Sequence, residues 1–451
     1  MADHHPMRIS VIGLGKLGAP MAAVFAARRH QVTGLDLNRA YVAAIAEGRA
    51  PVDEPELEAM ISQGRGRLTA TTDYEVAVRE SDVTFIIVPT PSDPQGAFSN
   101  DYVLAAVEAL GAALRRKDGY HVVAVTSTVM PGSMDGPIRA ALERAAKRRV
   151  GTDVGLCYNP EFVALGTVVQ NMLHPDMLLI GESDPRAGAM VEAVYEGVCE
   201  SKPAVHRMNF VNAEITKLSV NTFVTTKISY ANMLADLCDR LAGADSEVVA
   251  AALGADTRIG HKYLRSALGY GGPCFPRDNV AFGALLDRLG AHPDIARATD
   301  AINRYQTERL VRAVSERAAP GARIAVLGMA YKPNTGVIDE SQGVMLARRL
   351  ASAGYAVTIH DPQALAAAAQ ALGTSVTPWA NVADALRNTG VAVIATPWTE
   401  YAKLAPETFA ATKVVIDPWR LLDRDRLAAY VEVGWLGVGE NKNAKGLSAT
   451  A

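Results

Sequence analysis

The sequence is poor in the features that mark several large protein classes. Only four cysteines occur in 451 residues, Cys157, Cys199, Cys238 and Cys274. They are widely scattered and show no CxxC spacing and no disulfide-rich pattern. Any cysteine function is then that of a thiol in a reducing compartment, so a cytoplasmic location is expected. No metal site is expected. Charge of one sign is also missing. The net charge of −3 provides no basic field for nucleic acid or an anionic membrane. Apolar runs are strand-sized, too short to span a bilayer. The N-terminal MADHHPMRIS leads into a strand without an apolar signal region. No low-complexity linker and no short-period repeat is present.

What is present is an alternation. MRISVI (7–12), QVTGLD (31–36), VTFIIVPT (83–90), HVVAVTST (121–128) and VGLCYNP (154–160) read as strands, with Ala- and Leu-rich helical patterns between them. This implies a parallel sheet covered on both faces. From Asn212 to Arg240 the pattern is helical throughout, without Gly or Pro, and helical segments continue to about residue 318. ARIAVLGMA (322–330), AVTIHDP (356–362), VAVIATPW (391–398) and KVVIDPW (413–419) form a second alternating series. The expected fold class is α/β, with two Rossmann-like doubly wound domains joined by a central helical domain. The expected boundaries are 1–205, 206–318 and 319–440, followed by a polar tail at 441–451.

GLGKLG (13–18) matches G-x-G-x-x-G. It follows a strand, opens a helix, and is followed by an acid, Asp36, at the end of the next strand. That context makes it a dinucleotide signature. Gly13 allows the turn, Gly15 lets the backbone approach a pyrophosphate, and Gly18 allows close helix packing. The intervening Leu14, Lys16 and Leu17 belong to the same loop. Asp36 accepts from a ribose diol and repels a 2′-phosphate, which favours NAD as the cofactor, although Arg39 lies nearby. In the long helical stretch, Lys217 and Asn221 are four residues apart and share a face, with Glu214 close to it. Such a pair is either an exposed polar face or a set of donors for an oxygen that becomes anionic during reaction. Further on, GYGGPCFPRD (269–278) surrounds Cys274 with three glycines and two prolines and places Asp278 four residues later. A Gly/Pro loop with an incidental cysteine would read this way; so would a nucleophile whose sulfur must be held rigidly.

With these three stretches in hand, the chain resembles the UDP-glucose/GDP-mannose dehydrogenase family from Met7 to about Gly439. TSTVMPGS (126–133), NPEF (159–162) with HPDMLLIG (174–181), the E-x-x-K-x-x-x-N helix, RIG (258–260), LGMAYKPNT (327–335) and DPWR (417–420) occur in family order. The resemblance implies NAD-dependent, four-electron oxidation of a nucleotide sugar, with UDP-glucose the leading substrate. It implies that Cys274 captures a C6 aldehyde and that Asp278 and Lys217 assist proton transfers. Lys217 and Asn221 would stabilise an oxyanion, and Thr128 and Glu161 would lie at the reacting centre. Thr90, Pro91, Ser127 and Thr128 fall among its cofactor contacts. Glu161, Phe162, Lys217, Asn221, Arg258, Tyr263, Gly271, Lys332 and Arg420 fall among its substrate contacts. Arg258 would reach across a homodimer interface formed by the long helix.

The chain also departs from the family. Leu165 stands where a second Glu is usual. Gly336, Val337 and Asp339 replace two acids and an arginine, Pro273 and Arg277 replace a Ser and a Lys around the cysteine, and Tyr331 replaces a Phe. GDP-mannose and UDP-N-acetylhexosamine stay open as substrates, since C6 chemistry does not read the base or the C2 substituent. A non-catalytic nucleotide-sugar-binding protein and a two-electron hydroxyacid dehydrogenase are readings of other classes, and the framed cysteine argues against both.

Overall fold

The computed structural model describes residues 5–439. Two sheets organise it. The first contains β1 (Arg8–Ile12), β2 (Gln31–Leu35), β3 (Leu68–Thr71), β4 (Val83–Ile86), β5 (Val122–Val125), β6 (Gly155–Tyr158), β7 (Met177–Glu182) and β8 (Ala204–Met208). Their order is β3-β2-β1-β4-β5-β6-β7-β8. The second contains β9 (Arg323–Leu327), β10 (Ala356–His360), β11 (Val376–Pro378), β12 (Val391–Ile394), β13 (Val414–Ile416) and β14 (Glu432–Gly434), in the order β11-β10-β9-β12-β13-β14. In each, the first strand of the series lies centrally and the chain reverses direction beside it, between β1 and β4 and between β9 and β12. These are doubly wound α/β domains, and such reversals open a crevice at the carboxyl ends of the strands.

The central strands β4 (VTFI), β5 (VVAV) and β12 (VAVI) are buried at every position. That is the signature of strands covered on both faces by helices. One pairing departs from the expected all-parallel sheet: β6 and β7 are antiparallel. β7 and β8 extend the first sheet through a parallel pair of their own. Strands read as running through residues 90 and 128 stop at Ile86 and Val125. The chain leaves the sheet there because the polar ends of both segments form loops.

Along the chain, after β8 and before β9, come helices Phe210–Cys238, Ser246–Ala255, Phe275–Arg288 and Asp294–Ser315. The first has 29 residues. It begins and ends two residues earlier than the sequence pattern indicates. Residues 256–274 are not helical, so the helical region is interrupted by the segment that leads into Cys274. The chain divides into two compact units, Met1–Ser219 and Val220–Ala451. The tail expected at 441–451 lies outside the described residues.

Candidate active site

In the first unit, β1 ends in the glycine loop. Gly13 has φ +96° and donates its N–H to the Leu35 carbonyl at 2.7 Å. A side chain there would collide with the Ile87 backbone as well as being strained. Asp36 ends β2. Its carboxylate accepts from the N–H of Leu14 at 2.6 Å and of Asn38 at 2.7 Å, so the acid is held against the loop it serves. A cavity of about 810 Å³ opens beside them. Gly13, Gly15, Lys16, Leu17, Gly18 and Asp36 line it, together with Leu37, Tyr41, Tyr74 and Tyr102. Leu14 does not line it: its side chain is buried beneath Gly34, and only its N–H contributes. Thr90, Pro91, Ser127 and Thr128 lie outside the lining. The cavity suits a dinucleotide. It has room at Gly15, where an added Cβ would meet nothing, a helix N-terminus at Gly18, and a carboxylate at the end of β2. The apolar wall of Leu37, Tyr41 and Tyr74 escaped the sequence reading because nothing local marks those positions.

Two further loops of this unit are fixed by buried groups. Ser127 Oγ donates to the Val88 carbonyl at 2.7 Å and accepts from the Val88 N–H at 2.8 Å, tying the segment before Thr128 to the end of β4. Glu214, on the long helix, does not face Lys217's surroundings. It accepts from the N–H groups of Gly132 at 2.7 Å and Met134 at 2.8 Å and so caps the turn that follows Thr128. Burial raises its pKa, and those backbone donors oppose the rise. Glu54 acts similarly on the segment after Glu161, accepting from Gly166 N–H and Val168 N–H, each at 2.7 Å. Neither cap was legible in the sequence, since each joins residues about 80 or more apart.

Lys217 is only 4% exposed. Its ammonium donates to the Glu161 carbonyl and sits 4.7 Å over the Phe162 ring. The Glu161 carboxylate accepts from Val163 N–H at 2.7 Å. Leu165, in the place of the usual Glu, packs against the apolar core of the sheet.

In the second unit, Cys274 is exposed and immediately precedes the helix Phe275–Arg288, whose first turn contains Pro276. Its carbonyl accepts the Asp278 N–H at 2.8 Å. Asp278 is 1% exposed and accepts from Asn221 Nδ2 at 2.6 Å. The donor amide and the acid picked out in the sequence thus meet, 57 residues apart. Arg277 Nε lies 3.9 Å from the same carboxylate. Gly271 lies against the Glu340 carbonyl. The other proposed substrate contacts are placed differently. The Arg258 side chain is 85% exposed and paired with Asp256. Tyr263 is half-exposed with φ +65°. Lys332 lies 5.9 Å over the Tyr331 ring. Arg420 is engaged within its own unit: its guanidinium bonds Asp245 at 2.6 and 3.0 Å and lies 5.0 Å over Trp435. The pairing with Arg420 holds the Asp245 carboxyl below its usual range. Among the described residues no helix is long and apolar enough to cross a membrane.

Three family models match in order. They are the NAD binding domain of the UDP-glucose/GDP-mannose dehydrogenase family at residues 7–199, its central domain at 211–305 and its UDP binding domain at 325–424. The chain is 36% identical to UDP-glucose 6-dehydrogenase AglM of Haloferax volcanii, over 93% of this chain and 98% of that protein. It is 33% identical to a GDP-mannose 6-dehydrogenase of Pseudomonas putida, over 79% of this chain and 81% of that protein. A solved UDP-glucose dehydrogenase from Pyrobaculum islandicum superposes with a TM-score of 0.88 at 35% identity, covering 97% of this chain and 99% of its own.

Proposed function

Since the chain belongs to the UDP-glucose/GDP-mannose dehydrogenase family, whose members are NAD-dependent nucleotide-sugar 6-dehydrogenases, we propose that it oxidises UDP-glucose to UDP-glucuronate through a covalent intermediate on Cys274. The observation that carries this reading is the framed thiol: Cys274 is exposed at the start of a helix, and Asp278, one turn on, is held by Asn221. A two-electron dehydrogenase has no use for such a cysteine.

NAD, when bound in the cavity beside Asp36, supplies the acceptor for a hydride in each of two oxidations. The chain's residues do the rest. Asp278 takes up the proton released from the C6 hydroxyl, Lys217 assists that transfer as a hydrogen-bond donor, and the thiol gives its proton to solvent. Lys217 and Asn221 donate to the oxygen that carries negative charge, and preorganised donors of this kind contribute about 3 kcal/mol each. The N-terminal end of the helix Phe275–Arg288 favours Cys274 as thiolate. The thiolate adds to the C6 aldehyde and forms a C–S bond, giving a thiohemiacetal. Loss of a second hydride equivalent leaves a thioester. Water, oriented by Thr128 and Glu161, adds to it; the C–S bond breaks, and carboxylate and thiol are released. In this reading residues 1–205 bind the cofactor, 206–318 carry the helix with Lys217 and Asn221 and also Cys274, and 319–440 hold the nucleotide through Lys332 and Arg420. Phe162, Arg258, Tyr263 and Gly271 complete the substrate contacts.

UDP-glucose is favoured because a relative at 36% identity and a solved structure at 35% identity carry that name, whereas the GDP-mannose enzyme is 33% identical over 79% of the chain. Incubation with NAD and UDP-glucose, GDP-mannose or UDP-N-acetylhexosamines tests it. UDP-glucose should give two NADH per acid formed. One NADH per turnover with free aldehyde would reject the covalent relay, and fastest turnover on GDP-mannose would move the substrate.

A further inference from the structure

The segment leading to Cys274 is held by side chains to which the chemistry above gives no part. Asn232, on the long helix, is fully buried. Its Nδ2 donates to the Leu268 carbonyl at 2.9 Å, and its Oδ1 accepts from Ala267 N–H at 3.1 Å. Asn303, on the helix Asp294–Ser315, is 6% exposed. It grips both polar groups of one residue, accepting from Tyr270 N–H at 2.7 Å and donating to the Tyr270 carbonyl at 3.0 Å. Two residues further, Gly272 N–H donates to the Asp339 carbonyl at 2.9 Å, and its φ of +86° lets its Cα lie against the Tyr331 ring. Only Pro273, whose φ is fixed by its ring, separates these anchors from Cys274, and the helix begins at Phe275. The sulfur is thus constrained from both sides along the chain.

Asparagine is a poor residue in a helix interior, because its amide competes for backbone groups. Here two helices each carry one at an interior position, fully spent on a single neighbouring segment. Buried backbone groups need partners in any protein. What is specific is that both amides serve the one segment that ends at the thiol.

We propose that Asn232 and Asn303 are positioning residues that set the place of the Cys274 sulfur by clamping residues 267–270. The proposal rests on the reading of Cys274 as the nucleophile. It extends the machinery to two side chains that act through the backbone and touch no substrate.

The test uses the full chain with Asn303→Asp and, separately, Gly269→Ala. The first replaces the donor to the Tyr270 carbonyl with a carboxylate oxygen. The second removes no hydrogen-bonding group, but its Cβ would lie 2.6 Å from Asn303 Oδ1 and displace the clamp. Each variant is checked for a cooperative melt, then assayed with NAD and UDP-glucose, and its Cys274 is labelled with iodoacetamide and quantified by mass spectrometry. A displaced sulfur should lower kcat by about tenfold or more while KM for UDP-glucose stays within about twofold, because misplacement by a fraction of an ångström acts on the reacting geometry and not on binding. The rate of Cys274 labelling should change in the same variants. Wild-type kcat and wild-type labelling in folded variants would overturn the proposal. So would failure of both variants to fold, which would make the clamps scaffold alone. The underlying reading fails by a different sign: Cys274→Ser would still form acid at the normal rate, whatever the asparagine variants did.

Discussion

Cys274 and Asp36 were legible at the level of single residues because their neighbours gave them away, a glycine–proline frame for one and a strand end after a glycine loop for the other. Each supports a sharp expectation. Cys274→Ser should still carry out the first oxidation but lose acid formation, since an alcohol captures the aldehyde far less readily than a thiolate. Single-turnover NADH formation with normal substrate affinity and negligible steady-state turnover is the expected pattern; normal acid formation would place the nucleophile elsewhere. At Asp36, both carboxylate oxygens accept backbone N–H groups, so the side chain is fixed beside the glycine loop, and its negative charge would repel a 2′-phosphate. Catalytic efficiency with NADP should be at least about tenfold lower than with NAD, a difference of about 1.4 kcal/mol. Equal use of both would mean that Arg39 or another base outweighs the acid. Glu54, Glu214, Asn232 and Asn303 were not legible in the same way. Each acts on backbone groups distant in the chain, and no spacing rule reports a contact between a side chain and a remote peptide.

Among the elements, those with an unbroken apolar or helix-forming composition were readable and those shaped by their place at an edge were not. β4, β5 and β12 are short apolar runs, and the helix Phe210–Cys238 has an unbroken helical composition. β3 (LTAT) and β8 (AVHRM) lie at the two edges of their sheet, where half the surface meets solvent and composition loses its signal. The antiparallel turn of β7 is likewise a matter of connection and not of residue pattern. The turn Gly132–Met134 shows what long-range capping does for an element. Burial raises the Glu214 pKa, so the folded protein holds that proton more tightly than the unfolded chain. The associated stability is present below the ordinary glutamate pKa of about 4.3 and is lost as pH rises through the raised value. Glu214→Gln removes this titration. The melting temperature of the variant relative to the wild-type chain, followed upward from about pH 4, should therefore shift in favour of glutamine. A constant difference would show that the backbone N–H groups of Gly132 and Met134 cancel the effect of burial, and one that moves against glutamine would show that they outweigh it.

For the whole molecule, the long helix leaves part of its surface uncovered. Leu218 is buried within its own unit and Ile228 is half-buried, because the helix packs one face inward. Phe223 at 68% exposure, Tyr230 at 47%, Met233 at 43% and Leu237 at 51% remain outside. Their spacing of seven, three and four residues puts them on one stripe of the helix. Such a stripe on a monomer would be costly to leave in water, and a two-fold axis across it would bury each copy's stripe against the other. We therefore expect a homodimer. Arg258, 85% exposed and paired with Asp256, would then be the residue that reaches the partner's substrate. Phe223→Glu combined with Leu237→Glu should convert the dimer to a monomer in sedimentation velocity, because two like charges per copy would face each other across the axis. Activity separates assembly from catalysis. If Arg258 serves the partner, inactive Cys274→Ser chains should restore activity when mixed with Arg258→Ala chains, since a mixed dimer pairs an intact arginine with an intact thiol. A charge-reversed monomer that stays fully active at nanomolar concentration would show that the stripe has another use.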